Sequence, residues 1–230
     1  MRTVVLTGET SGLGRALQSE LNKGGWIVRG FSFSHDLTSR SQIESFIDSI
    51  PPENPVECLI NCAGVNYIDW FEKLPEEEWD RLIDINVKSI WRLTKGLINA
   101  GKFSSAPTVL NIVSNASHMP MTHSAIYNAS KGAAHILTLQ MARELKKTHN
   151  TTVFGVSPNK MRGTEMSQYI EDRVPVLRGW TKEQAEAYQL SSLAAGEETD
   201  PETVAEFIAF LLSTKQRHKF LNGCILPYGA

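Results

Sequence analysis

Short apolar runs alternate with amphipathic segments along almost the whole chain, and this alternation limits the possible folds most strongly. Runs typical of buried strands cover residues 3–8, 26–33, 56–64, 107–114, 151–157 and 221–227. Helical patterns cover residues 14–25, 39–50, 75–101, 124–148 and 200–213. This order predicts an α/β fold, with a doubly wound, mostly parallel sheet covered by helices on both faces. Without a repeat or linker, residues 1–230 are predicted to form one domain, with its ligand site at the carboxyl ends of the strands.

Composition narrows the classes of partner. The 230 residues are 41% hydrophobic with a net charge of −2, which gives no support for nucleic acid or a membrane surface as the main partner. Cys58, Cys62 and Cys224 lack the spacing of a metal site, so free thiols in a reducing compartment are expected. The first residues show no signal peptide, and no apolar segment approaches roughly 18 residues. We therefore expect a soluble, cytoplasmic protein without a metal.

A glycine-rich loop, TGETSGLG at 7–14, follows the first strand and opens a helix. Gly8 permits a tight turn, Gly12 permits close approach of a pyrophosphate, and Gly14 permits close packing of the helix on the sheet. A helix N-terminus also favours a phosphate. The alternative is a tight strand-to-helix turn without a ligand. Because the strand and helix are both present, the pattern favours nucleotide binding.

The segment YNASK at 127–131 places Tyr127 and Lys131 four residues apart, on one face of a helix. Such a pair can be an ordinary surface contact. It can also be an acid whose pKa is lowered for proton transfer.

Thr7, the three glycines of the loop, NCAG at 61–64 and YNASK at 127–131 together resemble the motifs of the short-chain dehydrogenase/reductase family. The resemblance spans nearly the whole chain and implies a Rossmann-like fold. It also implies an NAD(P)-dependent oxidoreductase that interconverts a carbonyl and an alcohol by hydride transfer. The alternative is a non-catalytic NAD(P)-binding regulatory or scaffold protein of the same fold.

The resemblance assigns catalytic roles to Asn86, Ser114, Tyr127 and Lys131. Tyr127 would be the general acid/base, its pKa lowered by Lys131 and by the positive nicotinamide ring. Ser114 would orient the substrate oxygen, and Asn86 would hold a water that links Lys131 to solvent. Taken singly, Asn86 is better explained as a helix cap or kink, and Ser114 as a turn residue at the end of a strand; taken together at these spacings, the residues favour the catalytic interpretation.

The dinucleotide is expected to contact residues from several loops. These are Gly8, Thr10, Ser11, Gly12, Leu13, Gly14, Ser32, Asp36, Leu37, Asn61, Ala63, Gly64, Tyr127, Lys131, Pro158 and Thr164. Asp36 would contact the adenine ring, or it is a turn residue before the next helix.

The chain departs from the family pattern after the second strand. Only 22 residues separate Phe33 from Val56, which leaves room for one helix, so six strands are predicted, with one edge strand of the usual seven missing. No acid stands at the end of the second strand to hold the ribose hydroxyls of NAD. Ser32, Ser34 and His35 could receive a 2′-phosphate, with Arg29 a weaker contributor, so NADP is slightly favoured over NAD.

The substrate side is predicted from position in the chain. Residues 164–195 occupy the place of the family's substrate loop, and their aromatic and Met side chains suggest a small-molecule carbonyl or alcohol substrate with an apolar part. Within this loop the residues singled out are Met166, Tyr169, Trp180 and Tyr188. The neighbouring wall would be lined by Met119, Pro120 and Met161. Alternatively, these side chains are helix-packing surface. His118 and His123 are expected to be surface loop residues, although either could touch the substrate. The family resemblance further implies a homodimer or homotetramer, formed through the helices at 75–101 and 124–148.

Overall fold

A single parallel sheet forms the centre of the molecule. The structure, a computed structural model, describes residues 2–31, 35–214 and 218–229. Its strands are β1 (Arg2–Thr7), β2 (Trp26–Phe31), β3 (Val56–Asn61), β4 (Phe103–Ile112), β5 (Thr152–Pro158) and β6 (Ile225–Tyr228). They lie in the order β2-β1-β3-β4-β5-β6, and every neighbouring pair is parallel. The predicted α/β class and the count of six strands are confirmed.

Helices connect the strands and cover both faces of the sheet. They are α1 (Gly12–Lys23), α2 (Arg40–Asp48), α3 (Glu76–Ile83), α4 (Ser89–Asn99), α5 (Ala125–His149), α6 (Glu165–Arg178), α7 (Lys182–Ser191) and α8 (Pro201–Leu212). The predicted long helix at 75–101 is divided by a π-helical turn, Asp84–Lys88, between α3 and α4. The segment 164–195, predicted as helical turns with loops, contains α6 and α7.

Alternation along β1 divides the core into two layers. Val4 and Leu6 face α1 and α8, where Leu17 and Ile208 are fully buried. Val5 points to the opposite face, among buried residues of α2, α4 and α5. Burying one such aliphatic side chain contributes about 1.5–3 kcal/mol relative to leaving it in water. The strand ends are therefore held by apolar packing on both faces of the sheet.

The strand β2 lies at one edge of the sheet. It pairs with β1 alone, and within the described ranges no strand lies on its outer side. Residues after the described end of β2 lead to Ser39, whose hydroxyl accepts from the Gln42 N–H and caps α2. The Gln42 side chain completes no reciprocal cap on Ser39, because its Oε1 accepts from the Asp36 N–H instead. One short helix thus replaces the longer connection that the family pattern predicts.

Candidate active site

A cavity of about 740 Å³ opens at the carboxyl ends of β1, β3, β4 and β5. Ligands of open α/β sheets bind at this edge. The glycine loop, the ends of β3 and β5, the N-terminal turn of α5 and parts of α6 and α7 all contribute to its wall. The same cavity is lined by Ser114, Tyr127 and Lys131.

The glycine loop has the geometry of a phosphate-binding turn. Gly8 has φ +72°, and a Cβ there would lie 3.0 Å from the Cα of Ala63. A Cβ on Gly14 would lie 1.9 Å from the Gly8 carbonyl oxygen, so helix α1 can approach the loop only with glycine at 14. Thr7 Oγ1 accepts from the N–H groups of Cys62 and Ala63 at 3.0 and 2.9 Å, which joins the ends of β1 and β3.

The residues predicted to contact the pyrophosphate all reach this cavity. Thr10, Ser11, Gly12 and Leu13 line it together with Gly8 and Gly14. In the part of the chain that the structure describes, the Ser11 side chain makes no cap hydrogen bond. The first backbone N–H groups of α1 are therefore available to a ligand. The loop therefore fits a dinucleotide.

The short connection before α2 lies at the end of the cavity where the adenosine is expected, called here the adenosine end. Asp36 and Leu37 line the cavity, as does His35. The Asp36 carboxylate accepts from Thr38 N–H and Oγ1 at 2.8 Å, which is a turn contact and matches the plainer of its two predicted roles. Ser32 and Ser34, the predicted 2′-phosphate contacts, lie outside the described residues.

Glu9 was not predicted to matter, yet it is a buried acid within the glycine loop. Its carboxylate lies against Gly30 of β2, where a Cβ would come within 2.2 Å of its Oε1. Its Oε2 has no hydrogen-bond partner within the described ranges. The contact was not visible in the sequence, because Gly30 lies opposite Leu6 in the sheet and the approach of Glu9 to it depends on how the glycine loop folds.

The NCAG segment divides between sheet and cavity. Ala63 and Gly64 line the cavity, whereas Asn61 does not. The Asn61 side chain is buried and donates to Asn111 Oδ1 at 2.8 Å, within the layer between β3, β4 and α5. Strand alternation places Asn61 there, on the sheet face opposite to Ile60.

Tyr127 is 8% exposed, and its ring packs with Leu82, Ala116 and Ile126. Burial raises the pKa of its phenol, and a hydrogen bond with Ser114 partly offsets the rise. In the chain itself, Lys131 does not produce the expected lowering of the pKa of Tyr127. Lys131 Nζ lies 5.8 Å from the phenol ring centroid and makes no hydrogen bond to it among the described contacts. Near neutral pH the phenol is therefore protonated and can donate.

Lys131 is an ammonium group in a nearly closed environment, with 4% exposure. Its Nζ donates to the Ile112 carbonyl at 3.0 Å, and burial lowers its pKa to about 8. A Cβ on Gly64 would lie 3.3 Å from Lys131 Nζ and 3.5 Å from Asn86 Oδ1. The absence of a side chain at Gly64 thus keeps open the space between these two polar groups.

Asn86 lies in the π-helical turn and is 1% exposed. Its Nδ2 donates to the Val65 carbonyl and to Ser130 Oγ, and its Oδ1 accepts from the Val65 N–H, all at 2.9 Å. π-Helical turns are often found at functional sites. The amide therefore fixes the backbone after NCAG and places its oxygen near Lys131.

Ser114 and Thr164 both lie at the start of helical turns. Ser114 Oγ accepts from the Ala116 N–H at 3.2 Å and also bonds Tyr127, while its side chain lines the cavity. Thr164 caps α6 by accepting from the Ser167 N–H at 3.1 Å, and its Cγ2 would meet a Cβ on Gly12 at 3.3 Å. Pro158, at the end of β5, completes this wall.

The far end of the cavity differs from the prediction at His123. That residue is 7% exposed rather than a surface residue, with φ +68° and its ring edge-on to Trp70 at 4.3 Å between centroids. His123 Nε2 accepts from Arg178 Nε at 3.2 Å, and burial, reinforced by the Arg178 charge, lowers the pKa of His123. His118, by contrast, is exposed as expected.

The predicted substrate residues separate into two groups. Met119, Pro120, Met161, Met166 and Tyr188 line the cavity. Tyr169 does not, because its hydroxyl accepts from the Ile68 N–H at 3.2 Å and its ring packs against a buried cluster that contains Ile68, Val174 and Ala185. Trp180 lines a shallower pocket beside the cavity and stacks on Arg178. Neither Arg178 nor the burial of His123 could be read from the sequence, because both depend on contacts between distant segments.

Other kinds of site were also considered. No group of His, Cys, Asp or Glu with metal-binding geometry occurs within residues 2–31, 35–214 and 218–229. Burial raises the pKa of the Cys58 thiol, and raises that of Cys62 to about 12, so neither is an activated nucleophile. Among the described helices, none is both long and apolar enough to cross a bilayer.

Comparisons with known proteins agree with this geometry. A model of the short chain dehydrogenase family matches residues 27–175. The 3-oxoacyl-acyl-carrier-protein reductase FabG of Vibrio cholerae is 27% identical over 232 residues, which cover 92% of this chain and 90% of that protein. The 5-keto-D-gluconate 5-reductase of Escherichia coli is 25% identical over 249 residues, covering 98% and 92%.

Solved structures share the fold. L-sorbose reductase from Gluconobacter frateurii, solved with NADPH and L-sorbose, matches with a TM-score of 0.85 at 19% identity, covering 100% of this chain and 95% of that one. A short chain dehydrogenase family protein from Francisella tularensis matches with a TM-score of 0.86 at 21% identity, covering 99% and 96%.

Proposed function

The chain belongs to the short-chain dehydrogenase family and is an NAD(P)-dependent oxidoreductase, and from that premise we propose a reaction between a carbonyl and an alcohol in which Tyr127 transfers the proton. One observation supports the proposal above all. Ser114, Tyr127 and Lys131 line the same cavity as the glycine loop, with Ser114 bonded to Tyr127. A substrate oxygen placed there meets a proton donor and a second hydroxyl beside the nucleotide site.

The residues of the chain have distinct tasks in this proposal. The glycine loop, Ala63, Gly64 and Thr164 hold the dinucleotide, which supplies or accepts the hydride when bound. Tyr127 Oη donates a proton to the carbonyl oxygen during reduction and accepts it from the alcohol during oxidation. Ser114 Oγ orients that oxygen. The phenolate that remains is stabilised by the positive ring of the oxidised dinucleotide together with the Lys131 ammonium, because in the chain alone burial keeps the pKa of Tyr127 above its usual value.

The recovery of the proton involves the groups behind Tyr127. The space at Gly64 lies between Lys131 Nζ and Asn86 Oδ1. A water there would accept hydrogen bonds from the ammonium and donate to the amide oxygen. Asn86 is held in place by its three hydrogen bonds, so it acts as a positioning residue for this relay.

The coenzyme is NAD or NADP, and the adenosine end leaves the choice between them open. The sequence favoured NADP because no acid ends β2, whereas Glu9 places a carboxylate in the loop beside β2. A fluorescence titration with NADPH and with NADH measures the preference directly. The preferred coenzyme is then used with a panel of ketones and aldehydes, and loss of reduced nicotinamide absorbance measures turnover.

The same experiment tests the alternatives. The matched relatives are named as reductases, which gives no support to a non-catalytic regulatory or scaffold role. Tight dinucleotide binding without turnover of any carbonyl or alcohol would favour that role over ours. Conversion of a substrate without net change in nicotinamide absorbance would instead indicate a dehydratase or epimerase.

The remaining assignments follow from the same proposal. We propose that residues 1–230 act as one domain, that residues 164–195 cover the substrate, and that the protein is a cytoplasmic homodimer or homotetramer. Exposed apolar side chains on α4 and α5, Trp91 and Ile136, support an interface through these helices.

A further inference from the structure

Helix α6 runs from the coenzyme end of the cavity to its opposite end. Its N-cap, Thr164, lies beside Gly12 of the glycine loop. Its last residue, Arg178, contacts His123 and lines the same cavity. At 1.5 Å per residue the helix spans about 20 Å. Arg178 is thus far from the site of the pyrophosphate, so a ligand of its guanidinium is not the coenzyme phosphate.

Arg178 is held in one orientation by three contacts. Its guanidinium carbon lies 4.5 Å from the Trp180 ring centroid and 4.6 Å from that of Tyr188. Its Nε donates to His123 Nε2 at 3.2 Å. These contacts use the flat face and one N–H of the group. Within the described ranges, neither Nη atom makes a hydrogen bond, so both remain available to a ligand.

No described acid neutralises this charge. Two other cations of α6 or in contact with it are paired, Arg173 with Asp69 at 2.6 Å and Lys160 with Glu171 at 2.9 Å. Arg178 has no such ion pair within residues 2–31, 35–214 and 218–229, although it is partly buried. His123 adds no charge, since it accepts the Arg178 hydrogen bond as a neutral ring. A partly desolvated cation on a cavity wall is stabilised by an anionic ligand.

The wall between the catalytic residues and Arg178 is mainly apolar. Ile68, Met166, Ile170 and Val174 contribute to it. The Glu165 carboxylate also lines the cavity, but it lies at the other end of α6. A ligand that reaches both Tyr127 and Arg178 therefore has an apolar part between its reacting carbon and its charged group.

We propose that Arg178 binds a carboxylate of the substrate, so that the enzyme acts on oxo acids and the corresponding hydroxy acids with an apolar spacer. This inference rests on the proposed function of the site. The planar pair of Nη donors matches a carboxylate, which accepts two parallel hydrogen bonds. A single cation also balances the charge of a carboxylate better than that of a phosphate dianion.

The test compares acids with their esters. Straight-chain oxo acids, with increasing separation between ketone and carboxylate, and their methyl esters are titrated into the protein saturated with oxidised coenzyme. Binding is followed by the change in intrinsic tryptophan fluorescence, to which Trp70 and Trp180 beside Arg178 contribute. The variants are Arg178→Gln, Arg178→Lys and, as a matched control, Arg162→Gln, which changes an exposed arginine that pairs with Asp200 outside the cavity. Circular dichroism establishes that each variant is folded.

The wild-type protein and Arg162→Gln should bind the best acid at least about tenfold more tightly than its ester, the ratio expected for one charge-assisted pair. Arg178→Gln should reduce this ratio to about one by weakening acid binding alone, and Arg178→Lys should retain part of it. Equal affinity for acids and esters in the wild-type protein, no binding of any acid, or an acid preference that survives in Arg178→Gln would overturn the proposal.

Turnover is measured separately with the reduced coenzyme. An acid preference that depends on Arg178, in a protein that reduces none of these compounds, would support the carboxylate site and reject the proposed hydride transfer. Turnover of esters and acids with equal KM would support the proposed function and reject the carboxylate site. The two failures are therefore distinguishable.

Discussion

Lys131 is proposed to act in its charged form, and burial of that charge lowers the stability of the fold. Burial lowers its pKa from 10.5 to about 8 in the folded chain, so the unfolded chain binds more protons between these two values. The free energy of unfolding contributed by this group therefore rises with pH across that range, by about 3 kcal/mol in total. Below pH 8 the full cost of a buried ammonium is present.

Replacing Lys131 with Met should remove this pH dependence. The buried thiols of Cys58 and Cys62 and the phenol of Tyr127 have raised pKa values, so they lower stability as pH rises and mask the lysine in a single curve. Urea unfolding of the wild-type protein and of Lys131→Met, from pH 7 to pH 10.5, gives the difference curve. The advantage of the variant should be largest at pH 7 and shrink by pH 10.5. A difference that does not vary with pH would contradict the assignment.

Tyr127→Phe tests the proton donor with minimal change in shape. Removal of the hydroxyl should lower kcat by about 10²–10⁴-fold, the usual contribution of general acid catalysis. Coenzyme binding should remain nearly unchanged, because the ring still fills its buried position. The control is Tyr228→Phe, which removes a hydroxyl bonded to the Thr203 carbonyl outside the cavity. Retention of most turnover in Tyr127→Phe would reject Tyr127 as the acid.

Among the elements, helix α1 depends on a glycine that has no room for a side chain. A Cβ at Gly14 would lie 1.9 Å from a backbone oxygen of the glycine loop, so Gly14→Ala must displace the loop or the helix. We expect a loss of about 3 kcal/mol or more in the free energy of unfolding and weaker coenzyme binding. Denaturant unfolding and coenzyme titration measure the two effects.

Gly132 in α5 provides the matched control. A Cβ there would meet its nearest neighbour, the Ser117 carbonyl oxygen, at 3.6 Å, which is an ordinary contact. Gly132→Ala should stabilise the protein by up to about 1 kcal/mol, through helix propensity. If both variants lost similar stability, steric exclusion at Gly14 would not be the cause.

At the same scale, the sequence could predict the order of strands and helices but not their irregularities. Apolar periodicity located β1, α1 and the missing strand after β2, because these features depend on local pattern and length. The π-helical turn at Asp84–Lys88 was not predicted, because the apolar pattern on either side of it is continuous with a helix. Within this turn, Asn86 hydrogen-bonds Val65 and Ser130, which are distant in the chain and could not be paired with it from the sequence.

The candidate site shows the same division. Motif spacing was sufficient to predict that Ser114, Tyr127 and Lys131 belong to one site, and all three line the same cavity. It could not show that His123 is buried under Trp70, nor that Arg178 completes that end, because these contacts join separate segments of the chain. The pKa of Tyr127 was also beyond sequence reasoning, since burial raises it, a hydrogen bond with Ser114 offsets part of the rise, and the extent of burial depends on packing.

At the scale of the whole molecule, exposed apolar side chains on two helices bear on the proposed subunit assembly. Trp91 on α4 and Ile136 on α5 are 48% and 65% exposed, and each belongs to a helix that packs on the sheet through its other face. Ile136→Glu and Trp91→Glu should shift the protein toward monomer in sedimentation experiments, because a charge in a subunit interface is poorly solvated. Phe71→Glu changes an exposed apolar residue on a separate turn and should not. A wild-type monomer would contradict the proposed assembly.

The position of β2 at the edge of the sheet has a consequence for coenzyme capture. Its backbone is held by β1 on one side alone, while Asp36 and Leu37, which follow it, form the adenosine end of the cavity. Elements with fewer partners open with lower free energies than central strands, and a ligand that binds only the closed form suppresses such openings. Amide hydrogen exchange should therefore slow more in β2 and α2 than in β4 when the coenzyme binds. The binding energy of the coenzyme would then become part of the local folding energy of this edge of the sheet.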